Sequence, residues 1–283
     1  MRENLRLAPE RDGYVETYRA KQSFGFHSHE ELEYNLVTHG SCSYLVGERR
    51  YDLRRGSLIW LFPDQEHVLI NPSPDAEMWI VVIRGEVLRR AVPTGLDQRL
   101  LERNPPWMLA KALAPVAFSA HDRLLQHALK HKNEVTLTNT ALPYLTLDAW
   151  AAFQGADVDD NANVIDPAID HAARLLSRED APDDLAVLAK RVGLSPSRLS
   201  RQFNLQLGVS LADYRNRIKL ERFLDLYTNT STLLNAALEA GFGSYPQFHR
   251  VFRQFLGVTP RTYLQGRLNP TDEKNKPPAR PRV

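Results

Sequence analysis

Residues 188–214 read LAKRVGLSPSRLSRQFNLQLGVSLADY, and residues 236–263 read AALEAGFGSYPQFHRVFRQFLGVTPRTY. From Leu199 onward the two align at a constant offset of 49. Arg201 matches Arg250, Phe203 matches Phe252, Leu207-Gly208-Val209 matches Leu256-Gly257-Val258, and Tyr214 matches Tyr263. Upstream, Ala189 and Gly193 match Ala237 and Gly241 at an offset of 48, so the second copy is one residue longer at its turn. A repeat of this period is one supersecondary unit used twice.

Each copy reads as helix, tight turn, helix. Asp183 and Asp184 suit a helix N-terminus, and Leu185, Leu188, Ala189 and Val192 keep helical spacing. Gly193 closes that helix, Ser195 caps the next, and Pro196 stands first in it, where a missing N–H costs nothing. Leu199, Phe203 and Leu207 form a buried stripe, which leaves Ser197, Arg198, Ser200, Arg201 and Asn204 outward. In the second copy Gly241 ends one helix and Ser244 begins the next. Phe248, Phe252 and Phe255 are read as facing in, and Tyr245, Gln247, His249, Arg250 and Arg253 as facing out. A short helix, a glycine turn and a helix with a basic, amide-bearing outer face is the pattern that docks in DNA.

Charge agrees with that reading. No Asp or Glu lies between Asp184 and Asp213, or between Glu239 and Asp272, and both windows contain several arginines. Surfaces that approach phosphate have this composition. The net charge of +2 hides an asymmetry. Residues 1–164 hold 18 Lys and Arg against 22 Asp and Glu, whereas residues 165–267 hold 14 against 10. Only the rear of the chain is therefore expected to meet nucleic acid. The low total charge argues against a nonspecific nucleoid protein.

With these residues in view, residues 165–267 resemble the DNA-binding domain of the AraC/XylS family of bacterial transcription regulators. The family pattern A-x3-G-[LF]-S-x3-[LF]-x-R-x-F-x4-G-x-[ST] is met by residues 189–210 and, more loosely, by residues 237–259. Gly243 and Pro246 depart from its usual second turn. The resemblance implies that the second helix of each unit enters the major groove. By position it carries base contact to Ser197, Ser200 and Arg201, and to Tyr245, Gln247 and Arg250. It also implies double-stranded promoter DNA as partner, and RNA polymerase where the protein activates.

The front of the chain reads differently. Short β-branched or aromatic runs at residues 34–37, 43–46, 58–62 and 78–83, separated by turns, indicate a small barrel or jelly roll. His27-Ser28-His29, Glu33 and Gly40 resemble the first cupin motif. Gly56, His67 and Asn71 keep spacings of the second, although the opening glycine of the first motif and an internal glycine of the second are missing. AraC-type regulators commonly carry such a cupin-like sensor in front. The fold class expected is therefore α+β in two domains: a cupin-like β-barrel (jelly roll) with extra helices, then an all-α double helix-turn-helix.

His27 and His29 share a strand face. Three imidazoles and a carboxylate, His27, His29, Glu33 and His67, suit a divalent metal. The same residues also suit an organic effector, with Tyr44 and Trp60 lining its pocket, or hydrogen bonding alone. From residue 85 the period becomes helical. Leu100-Leu101, Trp107, Leu109 and Leu113, then residues 121–132 and 140–153, read as helices interrupted at Pro105-Pro106 and Pro143, and such helices pair two chains in related regulators.

The organisation expected is a sensing and dimerisation domain over residues 1–153, a polar linker over 154–164, the DNA-binding domain over 165–267, and a disordered tail over 268–283. Residues 211–227 form a connecting helix about 26 Å long, with Tyr214, Ile218, Phe223 and Leu226 near one side. The single cysteine, Cys42, excludes an intrachain disulfide framework. No signal peptide or long apolar run is visible, so the expectation is a cytoplasmic regulator, without membrane contact, acting as a homodimer under a small-molecule effector. The competing class is a metal-dependent cupin enzyme with a helical appendage.

Overall fold

The computed structural model describes Leu5 and residues 7–19, 26–92, 98–105, 107–157, 162–178, 180–227 and 232–268. These form two compact units, a β-rich one ending at Val164 and a helical one that runs from Ile165 and includes Phe26.

The first unit is two antiparallel sheets. One runs β1 (Gly13–Arg19), β7 (Glu77–Ile83), β2 (Leu32–His39), β5 (Ser57–Leu61) and β8 (Ala110–Ala112). The other runs β6 (His67–Ile70), β3 (Ser41–Val46), β4 (Arg49–Arg54) and β9 (Ala162–Val164). Nearly every residue of β2, β3, β5 and β6 is buried, because one face meets the opposite sheet and the other is covered. Helices α1 (Gly85–Ala91), α2 (Pro115–Lys130) and α3 (Val135–Gln154) accompany the first sheet, α2 and α3 packing on each other and on β1.

Side-chain alternation along β2 divides its work. Asn35 donates to the Tyr44 hydroxyl of the opposite sheet at 2.9 Å, which turns Glu33 and Asn35 inward. Tyr34 points the other way, its hydroxyl 3.1 Å from His121 Nε2 on α2. His121 Nδ1 in turn lies 2.7 Å from Asp148 on α3. Trp60 is the cross-strand partner of Tyr34 and stacks edge-on against Trp150 of α3 at 5.3 Å. Trp60 therefore belongs to the layer between sheet and helices, not to a pocket inside the barrel as the sequence led us to expect.

Three further corrections concern element bounds, and β8 and β9 are too short to show a period. Leu109 and Leu113 flank β8, which pairs with β5, instead of lying in a helix. Ala162–Val164, expected as linker, add β9 to the edge of β4. Leu268, assigned to the tail, closes α10 (Pro260–Leu268). Pro143 does not interrupt α3, because Leu142, Leu145, Thr146, Ala149 and Trp150 hold that helix by burial through the proline turn. Residues 158–161 of the expected linker and 269–283 of the expected tail lie outside the described residues.

The second unit is α4 (Pro167–Ser177), α5 (Leu185–Arg191), α6 (Pro196–Leu207), α7 (Leu211–Leu226), α8 (Leu233–Glu239), α9 (Tyr245–Leu256) and α10. Gly193 and Gly241 adopt φ +72° and +92° directly after α5 and α8, a conformation that costs any residue with a Cβ. Ser195, Ser210, Thr232 and Ser244 each cap the following helix with a side-chain oxygen. Leu199, Phe203 and Leu207 are fully buried, as their spacing requires. Phe255 is only half-buried, with the Arg217 guanidinium 5.2 Å above its ring, and Val251 and Leu256 take the inner positions beside Phe248 and Phe252. On α7 Leu226 is exposed, while Tyr214, Ile218, Leu220, Phe223 and Leu224 face the core.

Candidate functional site

The sequence pointed to two candidate sites, one in each unit. On α6, Ser197, Arg198, Arg201 and Asn204 are exposed and Ser200 is half-buried. The Ser195 cap fixes where α6 starts, and the buried stripe fixes which way these residues point. On α9, Arg250 and Arg253 are exposed, whereas Tyr245 and Gln247 are half-buried. Gln247 folds back, its Oε1 accepting the Gly243 N–H at 2.9 Å. Among the described residues, no carboxylate pairs with Arg198, Arg201, Arg250 or Arg253. These guanidinium groups are therefore available to phosphate or base edges.

The other site lies between the two sheets. His29, Glu33 and His67 are buried, and one ligand atom from each lies within 4.8 Å of the others. His27, expected as a fourth member, packs its ring against His67 at 4.3 Å between centroids and is outside that converging set. The ring of Tyr44 stands 6.5 Å from that of His67. Sequence reasoning missed Asn35, whose amide donates to Glu33 Oε1 at 2.7 Å and to the Tyr44 hydroxyl. Its place two residues after Glu33 on the same strand was the available signal.

Hydrogen bonding fixes the imidazole tautomers. His29 Nδ1 faces the Glu31 carbonyl at 3.0 Å, and His67 Nδ1 faces the Gln65 carbonyl at 2.9 Å. Carbonyls only accept, so both Nδ1 atoms carry hydrogen. A neutral His29 would then turn a lone pair toward Glu33 Oε2 at 3.1 Å, an arrangement that needs a proton or a metal cation between them. His67 Nε2 is buried with no hydrogen-bond partner among the described residues. Two imidazole nitrogens and a carboxylate oxygen are a donor set that fits a divalent cation.

The electrostatics of the cluster follow from burial and from these pairings. Burial disfavours a charged His29, but the hydrogen bond and charge of Glu33 outweigh it and raise its pKa. Burial also works against the Glu33 carboxylate, and His29, His67 and Asn35 overcome it, lowering the pKa to about 2. Burial, reinforced by His27, holds His67 well below the ordinary imidazole range.

Residues 12–147 match the family model of the AraC-like ligand binding domain, and residues 188–266 match that of a helix-turn-helix domain. The chain belongs to the AraC family. It is an AraC-type DNA-binding transcription regulator with an N-terminal ligand-binding domain, and not the cupin enzyme held open as the competing class.

Among similar proteins is the uncharacterised HTH-type transcriptional regulator YfiF of Bacillus subtilis. It is 27% identical over 83% of this chain and 76% of its own length. The arabinose operon regulatory protein of Salmonella typhimurium is 36% identical over 31% of each chain. The solved structure of ToxT from Vibrio cholerae is 14% identical over 89% of this chain and 96% of its own, with a TM-score of 0.35. In this AraC-type chain no helix among the described residues is long and apolar enough to cross a membrane.

Proposed function

We propose that this regulator reads promoter DNA in the cytoplasm through α6 and α9 and takes its signal at the cluster of His29, Glu33 and His67. Ser197, Arg198, Ser200, Arg201 and Asn204 make the principal contacts, and Tyr245, Gln247, Arg250 and Arg253 the secondary ones. The observation that carries the reading is the pair of matched helix-turn-helix units with exposed arginines in acid-free windows. A divalent cation, or a polar effector in its place, satisfies the buried His67 Nε2 and the facing His29 and Glu33.

The protein acts as a homodimer through the helices of its first unit. Leu137 and Tyr144 stand exposed on α3, and apolar side chains on a helix face favour a covering partner. Two chains then hold four recognition helices on one promoter, and effective concentration multiplies the affinity. Where the regulator activates, RNA polymerase is the further partner.

A ligand switches DNA binding only by favouring one arrangement over another. His29→Ala and His67→Ala should therefore lose bound metal and effector response while keeping basal operator affinity. Metal analysis and gel-shift titration of the full-length variants test this. Wild-type response and metal content in both variants would overturn the assignment, and turnover of a small substrate with stoichiometric metal would move the site to catalysis.

A further inference from the structure

Between the first sheet and its helices runs a buried hydrogen-bond chain that neither site described above uses. Tyr34 on β2 and His121 on α2 are both fully buried. The Tyr34 hydroxyl lies 3.1 Å from His121 Nε2, and His121 Nδ1 lies 2.7 Å from Asp148 Oδ2 on α3. The Leu145 carbonyl, also on α3, is a second acceptor for the Tyr34 hydroxyl at 3.4 Å. One imidazole thus ties a strand to two helices that pack on each other.

Hydrogen accounting gives this chain two complete states. A carboxylate only accepts, so the Asp148 contact fixes the hydrogen of a neutral His121 on Nδ1. Nε2 then offers a lone pair, and the Tyr34 O–H donates to it. When His121 takes up a proton, Nε2–H becomes a donor and needs the phenolic oxygen as its acceptor. The Tyr34 hydrogen must then turn to the Leu145 carbonyl. Every group is again satisfied, and the Asp148 contact becomes an ion pair across α2 and α3. At 3.4 Å the Leu145 contact is longer than an ordinary O–H···O bond, so making it draws that turn of α3 toward β2.

We propose that His121 is a proton-operated latch between β2 and the α2–α3 pair. The added proton comes from solvent and rests on Nε2, while Tyr34 keeps its own hydrogen and only turns it. The titratable groups facing the ring are Tyr34, Asp148 and, on α2, Asp122, whose carboxylate accepts the Trp79 indole N–H of β7 at 2.6 Å. Strand β1, which packs on both helices, sets uncharged Val15 and Thr17 beside Val81 and Trp79. Burial lowers the pKa of His121, and the hydrogen bond and charge of Asp148, with the charge of Asp122, oppose it in part. The charged state therefore enters only below the ordinary imidazole value of about 6.5. Since the folded pKa lies below the unfolded one, stability from this group is present above that value and is lost as pH falls through the folded pKa. Tyr144, exposed beside Leu145, lies on the helix assigned above to the dimer, so on that reading the proton also tunes self-association.

The test is a pH titration of the full-length protein with its histidine rings labelled for NMR, paired with amide hydrogen exchange around Leu145. The His121 resonance is assigned by its loss in His121→Gln. It is expected to titrate below about pH 6.5, and lower still in Asp148→Asn, which removes the charge that favours the imidazolium. Exchange around Leu145 is expected to change with the same midpoint. In Tyr34→Phe the ring still titrates, but the exchange step is lost, because the hydroxyl that carries the change to α3 is gone. Sedimentation of the same samples keeps the two readings apart: an exchange step without a change in self-association supports the latch and removes α3 from the dimer face. A His121 that stays neutral down to about pH 5, a midpoint unmoved by Asp148→Asn, or an exchange step that survives in Tyr34→Phe would overturn the proposal.

Discussion

In the first helix-turn-helix unit α6 turns Arg198, Arg201 and Asn204 to solvent, and α5 adds exposed Lys190 and Arg191. The matched places of the second unit hold Gln247, Arg250 and Arg253 on α9, and Leu238 and Glu239 on α8. Beneath these surfaces the two units coincide. Phe203 and Phe252 are both fully buried, Ser195 and Ser244 both cap, and Gly193 and Gly241 both carry positive φ. The duplication has kept the groups that fix the backbone, and the arginine at Arg201 and Arg250, and has changed most of the exposed positions around them. An exposed leucine and a glutamate where the first unit has lysine and arginine lower the attraction of the second unit for phosphate. The first unit is therefore expected to be the stronger reader.

The largest effect is expected in the shared core. Phe203→Ala and Phe252→Ala should each cost about 3–5 kcal/mol of stability, measured by denaturant unfolding. A silent substitution at either position would show that the two cores are not equivalent. The surface is tested next. Arg201→Ala should weaken operator binding by about 1–3 kcal/mol, and Arg250→Ala by less, in titrations at one fixed salt concentration. Equal losses would remove the asymmetry.

Smaller effects sharpen it. Gly193→Ala and Gly241→Ala should each cost about 1 kcal/mol of stability, because a Cβ is strained at those φ values whatever space surrounds it. Parity in thermal melts is the expected result. Last, Gln247→Ala should cost about 0.5–1.5 kcal/mol of stability by releasing the Gly243 N–H. Its counterpart Arg198→Ala should leave stability unchanged and weaken DNA binding instead. If Gln247→Ala acted on DNA affinity alone, the capping role would be wrong.

Legibility followed the strength of the local signal. The repeat was readable because caps, glycines and a three-residue apolar stripe at four-residue spacing all fall within 27 residues, and each has a local cause. The four apolar runs at residues 34–37, 43–46, 58–62 and 78–83 lie in or overlap β2, β3, β5 and β7. Strands β8 and β9 were not readable, being three residues each and defined only by the neighbours they pair with.

The inner cluster was partly readable. Motif spacing gathered His29, Glu33 and His67, but it could not show that His27 stands apart from the converging three. Nor could it show that Trp60 faces α3, since a buried strand is apolar on both sides. Which face an aromatic residue takes depends on strand pairing, and pairing is nonlocal.

The central claim is that the paired helices read DNA with the first unit dominant. Hydroxyl-radical footprinting of the full-length protein on the DNA adjoining its own gene tests it most directly. The account predicts protected segments on successive turns of the duplex, with Arg201→Ala opening one of them and Arg250→Ala leaving both largely covered. Absence of protection at any site, or an Arg250→Ala pattern as open as that of Arg201→Ala, would contradict it.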